Sequence, residues 1–197
     1  MFMEEYLTET PSIDYMNPHI QEKVIELKNQ SNDDEDYIKR CYMFVRDEIP
    51  HSWDIGANIV SKTASETLIN KTGICWVKSC LFAALLRANG IPSGISYQLL
   101  TIAEDDSQGH IVHALNTVFN GDKWIRLDAR GNTGNEDVEF SLDKDQLAFQ
   151  VREEFGEIDY RDNNADLDER LVNALAQTEN LFEINIDFDL LNIVFTL

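Results

Sequence analysis

Three residues of this 197-residue chain have the side chains and positions needed for a nucleophile, a base and an orienting acid. Cys75 follows Gly73-Ile74 and begins the run CWVKSCLFAALLRA, whose apolar character on nearly all sides predicts a buried helix. A helix N-terminus lowers the pKa of a thiol because the helix dipole and unpaired backbone N–H groups favour the thiolate. The same N–H groups can donate to an oxyanion. The alternative interpretation is that Cys75 is only a small buried core residue.

The other two residues lie on a predicted hairpin. Strands are predicted over 110–119 and 123–128, on either side of Asn120-Gly121, which is the strongest short hairpin signal in the chain. A symmetric even-length loop centred on this dipeptide pairs residues whose numbers sum to 241, so that His113 directly faces Asp128. The aspartate would fix one imidazole tautomer and leave the other ring nitrogen for a thiol. A one-residue bulge would break this pairing, and an exposed structural His–Asp pair is the alternative.

The elements that must position these residues follow from periodicity and stop signals. The predicted helices cover residues 18–49 in two parts, 63–69, 75–88 and 171–176, and the predicted strands cover 93–101, 110–119 and 123–128. Pro50 ends the second helix, and Asn89-Gly90 with Pro92 ends the helix that begins at Cys75. Residues 132–170 are predicted as polar loops and 185–197 as an extended or helical tail. A helix followed by at least three antiparallel strands predicts an α+β fold.

Composition excludes several classes of function. The formal net charge is −20 and the pI is about 4.3, so a nucleic-acid backbone would be repelled. No stretch approaches about 18 uninterrupted apolar residues, and Met1–Thr10 lacks the pattern of a signal peptide. Three cysteines form no disulfide framework, and Cys41 and Cys80 are predicted to lie in the core. These features predict a cytoplasmic protein in a reducing compartment, with neither nucleic acid nor membrane as a partner.

Metal and cofactor motifs are weak. His110 and His113 would point to opposite faces of one strand, and no cysteine has zinc-site spacing. An alternating series that resembles a calcium loop consists of Asp162, Asn164, Asp166 and Asp168. Leu167 replaces the glycine that such a loop needs, and Asn173 replaces its closing glutamate. Since no phosphate loop or dinucleotide fingerprint occurs either, neither a metal nor a cofactor is predicted.

Taken together, these residues resemble the transglutaminase-like superfamily, which shares a papain-like core. The motifs that carry the resemblance are Gly73-Ile74-Cys75-Trp76, Asn89-Gly90-Ile91-Pro92, His113-Ala114-Leu115-Asn116 and Trp124-Ile125-Arg126-Leu127-Asp128. Further segments are similar to small bacterial stand-alone members and are Thr63-Ala64-Ser65-Glu66, Tyr97-Gln98 and Asp128-Ala129-Arg130-Gly131-Asn132. The resemblance implies one domain over 1–197, with a core at about 35–150 and a C-terminal extension, 151–197, that packs on it. In that core, a buried helix opened by the nucleophilic cysteine packs on an antiparallel sheet.

The resemblance also implies a reaction. Cys75, His113 and Asp128 would transfer an acyl group from an amide through a thioester, most often to water, as in a protease, peptidase or amidase. The backbone N–H of Cys75 would be one oxyanion donor and Trp53 the other, with His51 also near. The expected partner is a peptide or protein amide, and no cofactor is implied. Transfer to an amine, as in a protein transglutaminase, and a non-catalytic interaction domain on the same fold stay open as alternatives.

Overall fold

Five α-helices and a four-stranded antiparallel sheet form the part of the chain that the computed structural model describes, residues 3–102, 105–131 and 138–184. The helices are α1 (Pro18–Gln30), α2 (Asp34–Glu48), α3 (Ala64–Asn70), α4 (Cys75–Ala88) and α5 (Glu169–Gln177). The strands are β1 (Ser93–Thr101), β2 (His110–Phe119), β3 (Trp124–Leu127) and β4 (Ile158–Asp159), in the order β3-β2-β1-β4. The predicted α+β class is confirmed. No helix in the described ranges could cross a membrane, and the predicted tail at 185–197 lies outside them.

Four of the five helices begin with a side-chain cap, and α4 does not. The capping side chains are those of Asn17, Asp33, Thr63 and Asp168, each of which accepts a hydrogen bond from a backbone N–H two or three residues ahead. Helix α4 begins after Ile74, which has no side-chain oxygen to accept such a bond. The first N–H groups of α4 must therefore find hydrogen-bond acceptors outside the helix and its cap residue.

Helix α4 forms the centre of the core. Every residue from Cys75 to Arg87 is buried, and the helix contacts α1, α2, α3, β1 and β2. The buried Lys78 amine is satisfied by the carbonyl oxygens of Val45, at 2.8 Å, and Ile49 at the end of α2. Burial and the nearby charge of Arg130 lower the pKa of this amine to about 7. The helix that presents Cys75 is thus held by packing on all sides.

The hairpin register differs from the predicted one by two residues. Phe119 pairs with Trp124 and Thr117 with Arg126, so the numbers of paired residues sum to 243 rather than 241. The connection has four residues, 120–123, because the Asn120 side chain accepts the N–H groups of Asp122 and Lys123 and draws them into the turn. A shift of two residues keeps each side chain on its predicted face of the sheet.

Residues 138–184 lie along both edges of the sheet, since Gln146 forms a β-bridge with Leu127 of β3 and β4 lies beside β1. Strand β4, which the sequence pattern did not predict, pairs with β1 through Gln98 and Leu99. Further along, Asn164 exchanges backbone hydrogen bonds with Ile95. A Cβ atom at Gly94 would lie 2.0 Å from Oδ1 of Asn163 and 2.9 Å from the carbonyl oxygen of Asn164. Glycine is therefore required at Gly94 for this segment to approach β1 so closely.

Candidate active site

Cys75 lies at the first position of α4, as predicted, with 9% of its surface exposed. The backbone just before Cys75 packs closely against its neighbours because residue 73 is a glycine. A Cβ atom at Gly73 would lie 2.7 Å from Val77 Cγ2 and 3.0 Å from Thr67 Cγ2. A larger residue there would push apart α3 and the start of α4. The backbone N–H of Cys75 donates to Nε2 of His51, at 3.1 Å. One of the first N–H groups of α4, which have no partner within the helix, is therefore hydrogen-bonded to a histidine.

His113 and Asp128 form a buried hydrogen-bonded pair. His113 Nε2 lies 2.8 Å from Asp128 Oδ2, and the two residues are 3% and 1% exposed. The carboxylate also accepts the backbone N–H groups of Arg130 and Ala148, each at 3.1 Å. Because Nε2 is engaged by Asp128, Nδ1 is the ring nitrogen left for the Cys75 thiol, whose pKa is lowered by the interaction with His113. The two-residue register shift therefore does not separate the predicted pair.

The segment that contains Ala148 and Phe149 covers this pair from the outside. The ring of Phe149 packs edge-on against the imidazole of His113, with the ring centroids 5.0 Å apart. The guanidinium of Arg130 also lies over the Phe149 ring, 5.7 Å from its centroid, and forms a bidentate ion pair with Asp54. The sequence pattern predicts residues 132–170 only as loops. No feature of the sequence around Phe149 indicates which strand that side chain covers.

The sequence pattern predicts that His51 lies near the nucleophile but not that it contacts the backbone of Cys75. The chain around it is fixed by one backbone and one side-chain hydrogen bond: Ser52 N–H donates to Gly73 O at 3.1 Å, and the Thr72 hydroxyl donates to Pro50 O at 2.9 Å. The imidazole is 4% exposed, and within the described ranges its Nδ1 has no hydrogen-bond partner. Trp53, the predicted oxyanion donor, packs edge-on against this ring and is 41% exposed.

The electrostatics favour a thiolate beside an imidazolium. Burial raises the pKa of the Cys75 thiol, but hydrogen bonds and charge from His113 and His51 outweigh it and lower the pKa to about 5. Burial lowers the pKa of His113, whereas the charge and hydrogen bond of Asp128, and then Cys75, raise it to about 10. Burial raises the pKa of Asp128, and His113 with the two backbone N–H groups brings it below its usual value.

The other two cysteines behave differently, as predicted for core residues. Cys41 and Cys80 are completely buried, and all three cysteines are free. Burial raises the pKa of Cys41 to about 12 and moves that of Cys80 well above its ordinary value. Only at Cys75 do nearby imidazoles reverse the effect of burial among these thiols.

The part of the chain that carries this site is similar to a known protein family. The family model of the transglutaminase-like superfamily matches residues 21–129, more than half of the chain and the part that contains Cys75, His113 and Asp128. The chain belongs to the transglutaminase-like superfamily. No curated protein sequence matches it.

The fold is shared with a solved structure. A candidate cysteine protease from Cytophaga hutchinsonii superposes with a TM-score of 0.53 at 16% identity, over 65% of this chain and 42% of that one. A structure described as a TGase gives a TM-score of 0.46 at 14% identity, over 68% of this chain and 37% of that one. The chain therefore spans about two fifths of the length of these proteins.

In this transglutaminase-like chain, Cys75 and His113 open onto one cleft of about 490 Å³, and Asp128 is not part of its lining. Cys75, His113, His51, Trp53 and Arg130 all line it. His110 does not take part, because its Nε2 is bonded to the carbonyl oxygen of Phe155 at 2.8 Å. Within the described ranges, no group of three or more His, Cys, Asp or Glu side chains is arranged to hold a metal ion.

Proposed function

We propose that this protein is a cysteine-dependent enzyme that transfers acyl groups from amide bonds through a thioester, with water as the main acceptor. The observation that carries the proposal is the buried pair of His113 and Asp128, 2.8 Å apart, beside a thiol whose pKa is lowered to about 5. A structural cysteine gains nothing from such a pair, and Cys41 and Cys80 show the raised pKa that burial alone produces.

The chemistry begins with the thiolate of Cys75. It attacks the amide carbonyl carbon, and the carbonyl π electrons move onto the oxygen to give an oxyanion. When the C–N bond breaks, the imidazolium of His113 gives its Nδ1 proton to the leaving amine nitrogen, and an acyl thioester remains. His113 then takes a proton from water, which attacks the thioester and releases a carboxylic acid and the thiolate. Asp128 keeps the ring oriented and charged through these steps.

The oxyanion site includes the backbone N–H of Cys75 in this proposal. In the resting structure this N–H is bonded to His51 Nε2, 3.1 Å away, so an arriving oxyanion takes the place of the imidazole as its acceptor. The His51 tautomer that carries its proton on Nε2 would then donate to the same oxyanion, because within the described ranges Nδ1 has no hydrogen-bond partner that fixes the other tautomer. We therefore place His51 beside Trp53 as a second donor, since its Nε2 lies 3.1 Å from the backbone nitrogen of Cys75.

The two candidates for the second donor are separable by substitution. His51→Gln keeps a donor, whereas His51→Ala removes it, so the turnover number should fall about 100-fold in the alanine variant and far less in the glutamine variant. Trp53→Phe keeps the ring packing and removes the indole N–H. A loss confined to Trp53→Phe would assign the role to the indole instead.

Partner and compartment follow from the same chemistry. The family relationship points to a peptide or protein amide as the substrate, without a cofactor. Three free thiols, one of them reactive, suit a reducing compartment such as the cytoplasm.

An activated ester tests the proposed acyl transfer without knowledge of the natural substrate. With p-nitrophenyl acetate, the wild type should release nitrophenolate in a burst, and mass spectrometry should find one acetyl group on Cys75. Cys75→Ala should lose the burst, and Cys80→Ala, which removes a core thiol, should keep it. Added glycine methyl ester divides product between water and amine, which distinguishes a hydrolase from a transamidase. Absence of acetyl-Cys75 in the wild type would refute the proposal.

A further inference from the structure

Beside the nucleophile, the cleft continues into an apolar recess of about 140 Å³. Its walls include Trp53, Ile102, Ile111 and Ile184, and His51 and Cys75 line it as well. The four apolar side chains come from three parts of the chain: the loop before α3, the β1–β2 hairpin and the segment after α5. Within the described ranges, no Asp, Glu, Lys or Arg side chain lines the recess.

The recess is continuous with the proposed catalytic cleft, since Trp53, Cys75, Ile102 and Ile111 line both. Elsewhere the same cleft is polar: Arg130, Arg152, Glu157 and Gln150 are part of its lining. The surface around Cys75 thus has one apolar part and one polar, hydrogen-bonding part. A substrate that lies across the cleft would meet both.

Two large apolar side chains at the rim of the recess are unusually exposed to solvent. Ile102 is 53% exposed and Trp53 is 41% exposed, and both face the recess. Single exposed apolar residues are ordinary on protein surfaces, but a cluster around a concave site marks a ligand site. Apolar cavities of about 150 Å³ hold a benzene molecule, so the recess has room for one benzyl or isobutyl group.

We propose that this recess is a specificity subsite that binds one uncharged apolar side chain, of leucine or phenylalanine size, next to the amide carbonyl that Cys75 attacks. This assignment rests on the proposed acyl-transfer function and narrows its substrates to amides with an apolar neighbouring residue. The side chain is held by apolar burial, because within the described ranges no Asp, Glu, Lys or Arg side chain lines the recess.

Alkylation of Cys75 tests the subsite without a known substrate. Three reagents share one reactive group: iodoacetamide, N-benzyliodoacetamide and iodoacetylglycine, which bears a carboxylate. At one pH, the wild type should react about tenfold faster with the benzyl reagent than with iodoacetamide, which corresponds to about 1.4 kcal/mol. The carboxylate reagent should show no acceleration.

Variants at the rim locate the effect. Ile102→Trp fills the recess and Ile102→Asp places a charge in it. In both variants the benzyl preference, taken as a ratio to the iodoacetamide rate of the same variant, should fall to about one. Ile25→Trp is the matched control, because Ile25 is a 60% exposed isoleucine on α1 that does not line the recess. It should keep the preference.

Two results would overturn the subsite: equal rates for the benzyl and parent reagents in the wild type, or a preference that survives both Ile102 variants. The preference is a ratio of two rates on one thiol, so it can fail while Cys75 is still activated. The pH midpoint for iodoacetamide alone reports on the activated thiol, and the two failures are therefore distinguishable.

Discussion

Replacement of Cys75 by serine should make stability depend on pH in a way that the wild type's does not. The pKa of His113 is raised from 6.5 to about 10, so its contribution to stability is complete below pH about 6.5 and is lost as the pH rises through 10. The pKa of Cys75 is lowered from 9.0 to about 5, so its contribution is complete above pH about 9 and is lost as the pH falls through 5.

Between pH about 6.5 and about 9 these two effects have opposite signs. There, folding binds a proton at His113 and releases one at Cys75, and each changes the unfolding free energy by about 1.4 kcal/mol per pH unit. Serine removes the thiol term. The His113 term persists because Asp128 is a larger cause of its raised pKa than Cys75 is. The variant should therefore lose about 2–3 kcal/mol relative to the wild type between pH about 6.5 and about 8.5.

Guanidinium denaturation of the two proteins at several pH values measures this difference. Titrating groups that do not interact with Cys75 occur unchanged in both proteins and cancel when one curve is subtracted from the other. Cys80→Ser is the matched control, because the pKa of that buried thiol is raised and it carries no charge in this range. A Cys75→Ser difference that is constant with pH, like that of the control, would refute the thiolate–imidazolium pair.

Three further substitutions test the surroundings of the site. Asp128→Asn leaves a buried imidazole without its counter-charge and should cost about 3–5 kcal/mol in guanidinium denaturation, while the alkylation midpoint of the thiol rises; an unchanged midpoint would contradict the role of the carboxylate. Lys78→Met removes an amine whose pKa is lowered to about 7. As the pH rises from about 7 to 10, the unfolding free energy of the wild type should increase by about 1.4 kcal/mol per pH unit relative to this variant. Parallel stability curves would contradict the lowered pKa of Lys78. Gly94→Ala places a methyl group 2.0 Å from Oδ1 of Asn163 and should cost about 1–3 kcal/mol in the same assay, and a neutral result would show that the covering segment yields.

Much of the fold was predictable because its signals are local. The apolar run after Cys75 and the stop at Asn89-Gly90 predict α4, and the structure begins and ends that helix where expected. The hairpin is present too, but its register depends on how the Asn120 side chain binds neighbouring N–H groups within the turn. A dipeptide motif specifies that a turn occurs and leaves the length of its loop to such contacts.

The parts that escaped prediction depend on contacts between distant segments. Strand β4 has two residues and exists because Gln98 and Leu99 of β1 have open hydrogen-bonding groups for it. His51 reaches Cys75 through hydrogen bonds that hold residues 50–52 against 72–73, and no periodicity encodes that approach. Phe149 covers His113 from a segment without regular structure. The order Cys, His, Asp was visible in the sequence, while the groups around it required the fold.

The pH dependence of iodoacetamide alkylation at Cys75, in the wild type and in His113→Ala, tests the central claim most directly. The midpoint must be measured rather than one rate, because a thiolate of higher pKa is also more nucleophilic and offsets its smaller population. The wild type should titrate near pH 5, where its pKa lies, and His113→Ala should titrate several units higher. A midpoint at or above the ~8.5 of a free thiol in both proteins would contradict the activated pair and leave Cys75 a structural residue.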